Sequence, residues 1–294
     1  GAGSSAGHIT VNANNSLGFY GNKGKFENSG EITTTGEGSH AVVLQNTGSG
    51  TVTSATQTLT FDNTGNITAN TEGTVGIYAE SGSHFSHSGT GKKITAGKGA
   101  VGIYAIGAGT KGTVEAEIDV LGSKETATKK YTGIGVYSDG DAKVNFKHGS
   151  KLEIGKGGIG LYSANAAKFN NTFTIENKLK TILGENSTLA YLKGDNTKTT
   201  NVGDFLNKID LETDMGKNSN LVYATDGAKA ILDKDTTITQ GGVESTAVLS
   251  ANNGSTVEVA KDKELKTNTH TALLANKATA SNEGDINSTR EDQK

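Results

Sequence analysis

The apolar residues of this chain are grouped in a short motif that recurs along its length: glycine or another small residue, then an aliphatic residue, then tyrosine or leucine. The copies occupy residues 17–20, 41–44, 75–78, 101–104, 134–137, 159–162, 188–191, 220–223, 246–249 and 271–274. Their last residues, which we call anchors, are 24 to 34 positions apart, with the shortest spacings near 25. Seven of the 8 tyrosines are anchors and only Tyr131 is not, whereas the second, ninth and tenth anchors are Leu44, Leu249 and Leu274.

A second element follows most anchors. It begins with an aromatic residue or valine, passes through asparagine or glycine, and ends in Ile-Thr or a similar pair, as in residues 26–33 and 61–68. Residues 85–95 and 146–154 are looser copies. Each repeat therefore holds about three short strands separated by turns of glycine, asparagine, aspartate or serine, which are typical signals of strand ends.

A unit of about 25 residues with three strands cannot bury its apolar side chains alone, so stacked repeats must cover one another. We therefore predict an all-β chain that forms a right-handed parallel β-helix, or β-solenoid, of about ten rungs with a few side insertions. An antiparallel sandwich or barrel also has short strands and many turns, but it does not explain why one motif recurs at the same place in ten successive repeats. A propeller needs about 40 or more residues per blade.

Alternation along a strand suggests which side chains are inside. In the copy at residues 101–104, Val101 and Ile103 share one face, and Gly102 and Tyr104 share the other. We expect the β-branched face to be interior and the tyrosines to stack along the outer surface with wet hydroxyls. A bulge at Gly102 would give the opposite register.

Three stretches exceed the basic spacing and are predicted to be insertions: residues 45–59, 112–130 and 193–211. In the third, Val202, Phe205, Leu206 and Ile209 have helical spacing. Residues 201–208 are therefore expected to form a short helix or an irregular loop against the side of the rod. Backbone groups along the sides of a solenoid are already paired, so recognition should use protruding loops, and these insertions are candidate contact sites. Alternatively, the insertions shield a sheet edge or have no function.

Composition narrows the possible functions. Hydrophobic residues are 33% of the chain, which is low, but the absence of proline and the formal net charge of −3 are unlike a disordered protein. With no cysteine, disulfides and thiolate chemistry are excluded. We find no signal peptide, no apolar run long enough to span a membrane, and no basic excess for nucleic acid. The first residue is not methionine, so we expect a fragment of a longer protein.

Candidate chemistry is sparse. The acidic pair Asp139 and Asp141 flanks a glycine, and we interpret it as a turn, not as the two carboxylates of a glycosidase. Residues Asp210, Glu212 and Asp214 alternate and are interpreted as a solvated strand edge. His84 and His87 would point to opposite faces of a strand and have no third ligand nearby. We therefore predict no catalytic, cofactor-binding or metal-binding residue, no cofactor, and no enzymatic activity.

These motifs, together with the Thr/Asn/Gly/Lys bias and the absence of Cys and Pro, resemble the passenger domains of type V autotransporters, especially the large fusobacterial autotransporter adhesins. The resemblance covers nearly the whole chain. It implies that residues 1–294 are one β-helix segment of a longer passenger, held at the outer membrane through a C-terminal barrel that has no counterpart here.

From that resemblance we expect a monomeric adhesin stalk or binding surface on the extracellular side of the cell surface. Its partner would be a protein or glycan of a host or bacterial cell, with no nucleic acid. Two alternatives from other classes are a carbohydrate-active β-helix enzyme and a cytotoxic passenger. Carboxylates clustered in a groove would favour the enzyme, and a polar face with a stacked tyrosine row would favour binding.

Overall fold

The computed structural model describes residues 2–46, 58–194, 197–242 and 244–290. It is nearly all-β, with 53% strand and 4% helix, and its long sheets are parallel. The chain coils as a parallel β-helix in which each coil contributes one strand to each of three walls. The predicted fold class is therefore confirmed.

The first wall, which we call the tyrosine sheet, has ten strands in sequence order, one per rung. They are Leu17–Gly21, His40–Gln45, Val75–Glu80, Val101–Ala105, Ile134–Ser138, Ile159–Ser163, Thr188–Lys193, Asn220–Thr225, Ala247–Asn252 and Thr271–Asn276. At one strand spacing per rung, the rod is about 45 Å long.

The second wall, the phenylalanine sheet, begins with seven strands: Ala2–Ser5, Lys25–Asn28, Thr60–Asn63, His84–His87, Lys111–Val114, Lys143–Phe146 and Phe173–Ile175. A separate sheet of four strands follows it: Thr199–Asn201, Lys229–Leu232, Thr256–Val259 and Thr279–Asn282. Phe26, Phe61 and Phe85 occupy one inward column. The rings of Phe26 and Phe61 are stacked with centroids 5.6 Å apart.

The third wall has eight strands: His8–Val11, Glu31–Thr34, Asn66–Ala69, Lys93–Ala96, Glu117–Val120, Lys151–Ile154, Leu179–Leu183 and Ile209–Leu211. Three more follow in a separate sheet: Thr236–Ile238, Glu264–Thr267 and Asp285–Ser288. Ile32, Ile67, Ile94 and Ile118 pair in register and are fully buried. This ladder of identical aliphatic side chains is the centre of the core, and the in-register pairing keeps each coil in phase with the next.

Helical structure lies where the phenylalanine sheet changes from one set of strands to the next. A 3₁₀ turn, Ala166–Lys168, leads into α1, Phe169–Thr172, and α2 spans Gly203–Asn207. Phe169 and Phe205 are buried and meet edge to face, with ring centroids 5.1 Å apart. The predicted helix in residues 201–208 is therefore present, and it forms part of the wall because its apolar side faces the core. Among the described residues, no helix combines the length and the apolar character that crossing a bilayer requires.

The predicted register is correct at eight anchors and wrong by one residue at two. Val43, not Leu44, pairs with both Tyr20 and Tyr78. Ser250, not Leu249, pairs with both Tyr223 and Leu274. In both copies several consecutive residues are apolar, so alternation did not define the register.

The predicted interior face is right for Ile103, which is fully buried, and for Tyr104, which is outside. It is wrong for Val101, which is half-buried, and for Gly102, which is inward. A Cβ on Gly102 would lie 3.4 Å from Ile94 Cγ2 in the core and 2.7 Å from the Gly135 carbonyl oxygen of the next rung. Gly102 and Ile103 are thus two successive inward residues, and they interrupt the alternation. The opposite register considered for a bulge at Gly102 is not observed, because Ile103 is inside and Tyr104 is outside.

The excursions from the rung are shorter than the predicted insertions. Within 112–130, residues up to Val120 belong to regular strands, and the excursion is an antiparallel hairpin, Ser123–Glu125 with Lys130–Thr132. Within 193–211, Thr199–Asn201 and Ile209–Leu211 pair with neighbouring rungs. Most of the first predicted insertion, residues 47–57, lies outside the described residues.

Candidate functional site

The outer face of the tyrosine sheet carries a ladder of six stacked rings, one from each of six successive rungs. These are Tyr78, Tyr104, Tyr137, Tyr162, Tyr191 and Tyr223, and we call them the tyrosine ladder. Their successive centroids are 5.2, 4.5, 4.9, 4.7 and 5.4 Å apart, and neighbouring ring planes are within 23° of parallel. The predicted outward stacking of these residues is therefore confirmed.

The ladder follows directly from the register. Parallel strands that pair residue for residue place equivalent side chains about 4.8 Å apart, which is close to the ring spacings observed here. Each stacked pair is worth about 0.5–1.5 kcal/mol beyond its buried area. Because the five rings from Tyr78 to Tyr191 have a stacked ring on each face, the ladder is a preordered surface that presents ring edges and hydroxyls to solvent.

Several phenols of the ladder have raised pKa values, among them Tyr78, Tyr104 and Tyr191. Burial, followed by the neighbouring Tyr137, raises the pKa of Tyr104 to about 12. Burial, followed by Tyr162, raises the pKa of Tyr191 to about 12. The pKa of Tyr78 is also raised, first by burial and then by its 2.8 Å hydrogen bond to Glu80 Oε2. The ladder therefore offers neutral hydroxyls that can both donate and accept hydrogen bonds.

The two ends of the tyrosine ladder have different structures. At Val43 the missing ring is replaced by the imidazole of His40, which stacks on Tyr78 with centroids 5.7 Å apart and planes 16° from parallel. Gln45 spans this break, because its Oε1 accepts from the Tyr20 hydroxyl at 3.1 Å and its Nε2 donates to Glu80 at 2.5 Å. At the other end Ser250 takes the column position after Tyr223.

A groove of about 450 Å³ runs beside the ladder. One side is formed by Tyr162, Tyr191 and Tyr223, and the other by the first residues of the strands, including Ile134 and Ile159. Thr132 and Lys130 of the hairpin also line it. The groove combines aliphatic surface with phenol edges, which is the chemistry common in protein binding surfaces.

The hairpin lies on the turns that precede the tyrosine sheet. Lys124 pairs with Glu72 at 2.5 Å, and the Lys124 and Lys129 ammonium groups lie 4.9 and 4.7 Å from the centre of the Tyr131 ring. Gly99 packs so closely that a Cβ there would lie 2.9 Å from Tyr131 Cβ. The hairpin is thus bound to the rod surface along the edge of the tyrosine sheet.

Three of the acidic residues considered as candidate catalysts have polar partners: Asp139, Asp141 and Glu212. Asp141 pairs with Lys168, and Asp139 Oδ1 accepts a hydrogen bond from the Gly107 amide at 3.4 Å. Glu212 lies between Lys151 and Lys180, at 3.5 and 3.4 Å. Asp141 and Glu212 are therefore members of surface ion pairs, each worth about 0–1 kcal/mol.

The outer face of the third wall holds the densest group of charges. Glu117 pairs with Lys93 at 3.0 Å, and Glu153 pairs with Lys151 at 3.2 Å. Burial raises the pKa of Asp119, which lies in register beside Glu153, although Lys93 acts to lower it. Lysines and carboxylates are interspersed on this face, and ion pairs such as Lys93 with Glu117 and Lys151 with Glu153 join them.

His84 and His87 are separated by the strand, as predicted. His84 is partly exposed, whereas His87 is fully buried. His87 Nδ1 accepts from the Asn63 amide at 2.9 Å, and its Nε2 donates to the Glu117 carbonyl oxygen at 3.1 Å. Burial lowers the pKa of His87 to about 4, so it is neutral. In the described part of the chain, no group of three or more His, Asp or Glu side chains is placed to hold a metal ion.

Comparisons with models of known protein families, with curated proteins and with solved structures found no match to this chain.

Sequence reasoning located the ladder but missed its two breaks. The one-residue errors at Val43 and Ser250 placed a leucine in the column and concealed the change of residue type there. A comparison of the possible pairings between neighbouring strands would have revealed the change of residue type. Only the observed pairing places Gly21, Leu44 and Ala79 together on the inward side of the strands.

Proposed function

We propose that this chain is a segment of a cell-surface autotransporter passenger and acts as an adhesin stalk whose tyrosine face binds host or bacterial cells. The observation that carries the proposal is the tyrosine ladder, which runs over six rungs on the outside of the rod. A core does not require such a row, because the inward residues of the same strands are already buried, as Ile77 and Ile103 are.

The ladder has the physical character of a recognition surface. Tyrosine contributes apolar area and a hydroxyl at a low cost in side-chain entropy, which is why it is enriched in binding surfaces. Stacking lowers that cost further, since the rings are ordered before any partner arrives. A phenol is neutral near pH 7, and the raised pKa values of Tyr104 and Tyr191 extend that neutral range upward, so binding would vary little with pH near neutrality.

The architecture suits a stalk. Each coil adds one strand spacing of length and contacts mainly its neighbours, so stability is roughly a sum of local terms and the rod can be long. Its sides expose side chains, because the backbone groups of the walls are paired between rungs. The resemblance to autotransporter passengers, drawn from the same motifs, supports placing this rod on the cell surface.

Binding is better supported than catalysis. Two of the candidate carboxylates are paired with lysines, Asp141 with Lys168 and Glu212 with Lys151 and Lys180. The polar face with stacked tyrosines is the arrangement expected of a binding surface.

The test is an adhesion assay with the purified chain and fluorescent host and bacterial cells. Tyr137, Tyr162 and Tyr191 are replaced together by valine, the residue that the same column carries at Val43. The matched control is Tyr131→Val, which removes a tyrosine from the hairpin outside the ladder.

We expect the triple variant to keep its β circular dichroism and to lose at least tenfold in cell binding, while the control binds as the parent does. Equal binding by the parent and a folded triple variant would reject the tyrosine face. A parent chain that binds neither class of cell would reject the adhesive function.

A further inference from the structure

The tyrosine ladder stops at a cleft of about 250 Å³ that opens on the last ring. Tyr191 covers one face of Tyr223, at a centroid distance of 5.4 Å. Along the column, the next residue is Ser250 and the one after it is Leu274, and both line the cleft with Tyr223. The small serine leaves the position of one ring empty between Tyr223 and Leu274.

The spacing of this gap suits one flat ring. Two strand spacings, about 9.6 Å, separate the rungs of Tyr223 and Leu274. A ring in the middle would lie about 4.8 Å from each, within the 4.5 to 5.4 Å range of the ladder itself. The cleft volume is also ample, because an apolar cavity of about 150 Å³ accepts benzene.

The other break in the column, at Val43, shows how a side chain of the protein itself can fill such a gap. At Val43, the His40 ring stacks on Tyr78. The residue that corresponds to His40 in the Ser250 rung is Ala247, which also begins its strand and has no ring to offer. The second gap therefore lacks the internal ring that fills the first.

The walls and rim identify the chemical class of the occupant. Both faces of the gap are apolar, since one is the Tyr223 ring and the other is Leu274, which is 46% exposed. A planar aromatic ring is apolar on both faces and stacks at this spacing, as the rings of the ladder do. None of the described residues that line the cleft is charged, which disfavours phosphates and carboxylates.

The rim supplies hydrogen-bonding groups at the edge of the gap. Asn252 Nδ2 donates to the Tyr223 hydroxyl at 2.8 Å and so holds that ring in place. The exposed Asn276 carboxamide has no hydrogen-bond partner among the residues that the structure describes, and it lines the cleft. It is placed to meet a hydroxyl or N–H group carried by an inserted ring.

We propose that this gap is a socket for a single aromatic side chain of a partner protein, which would extend the tyrosine ladder by one ring. The socket rests on the proposed function, because it names the partner chemistry of the same binding face. Tyrosine fits best, since its ring fills the space between Tyr223 and Leu274 while its hydroxyl reaches the asparagine rim.

The socket is tested with p-cresol, the isolated side chain of tyrosine, against methyl glucoside and cyclohexanol. Methyl groups of leucine are labelled with ¹³C in the whole chain and followed by NMR. We expect p-cresol to shift the Leu274 methyl signals upfield in a saturable manner, because they would lie over an aromatic ring. The other two probes should leave them unchanged.

Two variants decide whether the site is the gap. Ser250→Tyr places the ladder's own ring in the column and should abolish the p-cresol shift, whereas Ser250→Ala should retain it. Tyr223→Val removes one wall and should weaken the response at least tenfold, which serves as a second measurement if Ser250→Tyr does not fold. Saturable binding of methyl glucoside in place of p-cresol, or an unchanged p-cresol response in folded Ser250→Tyr and Tyr223→Val, would overturn the proposal.

Cell adhesion is measured separately on the same variants. Adhesion that depends on Tyr137, Tyr162 and Tyr191 but is unaffected by Ser250→Tyr would reject the socket and leave the adhesive function standing. A p-cresol response with no adhesion to any cell would reject the adhesive function and leave the ring-binding site standing.

Discussion

Tyr104 lies directly over Tyr137, with ring centroids 4.5 Å apart and ring planes 11° from parallel. The two residues are 33 positions apart in the chain, yet their strands pair in parallel and in register. The pair demonstrates the principle of the whole molecule, in which equivalent residues of successive coils become neighbours. It also allows the energy of one ladder contact to be measured.

Tyr137→Val should lower the free energy of unfolding by about 1–3 kcal/mol beyond the loss of buried area, because it removes two stacked contacts. Urea unfolding measures the change. Tyr20→Val is the matched control in the same column, since Tyr20 is 46% exposed and its column neighbour is Val43. We expect its effect to be under about 1 kcal/mol. Equal losses in the two variants would show that stacking contributes nothing measurable.

Ile103→Asp should destabilise the rod by more than about 4 kcal/mol, because it removes a fully buried aliphatic side chain and leaves a carboxylate in the core. The control Leu17→Asp makes the same kind of change in the same sheet at a residue that is 49% exposed. It should cost less than about 1 kcal/mol. Thermal unfolding of the two variants is the comparison, and similar midpoints would contradict the assigned interior.

Gly112→Ala should cost about 1–3 kcal/mol, because a Cβ there would lie 2.0 Å from Phe85 Cζ in the preceding rung. Gly7→Ala is the control, since a Cβ at Gly7 meets nothing within 4 Å. Phe85→Leu combined with Gly112→Ala should cost less than the sum of the two single changes. Additive losses in this double-mutant cycle would show that Phe85 does not limit the residue at Gly112.

The stability of the chain should fall between about pH 6.5 and pH 4 because of His87. Burial lowers the pKa of folded His87 to about 4, and the unfolded chain binds the proton near 6.5. The contribution of His87 is therefore complete above pH 6.5 and is lost as the pH falls towards 4, by up to about 3 kcal/mol. Carboxylates titrate in the same range, so the measured quantity is the difference between parent and variant.

His87→Asn supplies that difference, because Asn28 and Asn63 occupy the same column. The variant should lose the part of the pH dependence that begins near 6.5. Parallel stability curves for parent and variant, measured by urea unfolding at each pH, would contradict the assignment of a neutral buried imidazole.

Removal of residues 123–132 should leave the fold intact. The base of the hairpin is already closed, because the Gly133 amide donates to the Gly122 carbonyl oxygen at 2.8 Å. An Asn-Gly link between these glycines should keep the β circular dichroism and lower the melting temperature by only a few degrees, through loss of contacts such as Lys124 with Glu72. A chain that no longer folds would show that the hairpin is part of the rung.

The parallel coil was determined by the sequence alone. Residues such as Ile77, Ile103 and Val136 recur at one phase, and only stacking of equivalent coils can bury them all. The outward tyrosines followed from the same repetition, since alternation places Tyr104 opposite its buried neighbour Ile103.

The tertiary structure decided what alternation cannot resolve. In residues 41–44 and 247–249 every side chain is apolar, so a shift of one residue leaves the pattern unchanged, and only pairing with neighbouring strands selected Val43 and Ser250. The inward position of Gly102 likewise has no distinct hydrophobic signal in the sequence. One break in the ladder is filled by His40, and the other, beside Tyr223, is open. This difference depends on how side chains of adjacent coils meet, which the linear sequence does not show.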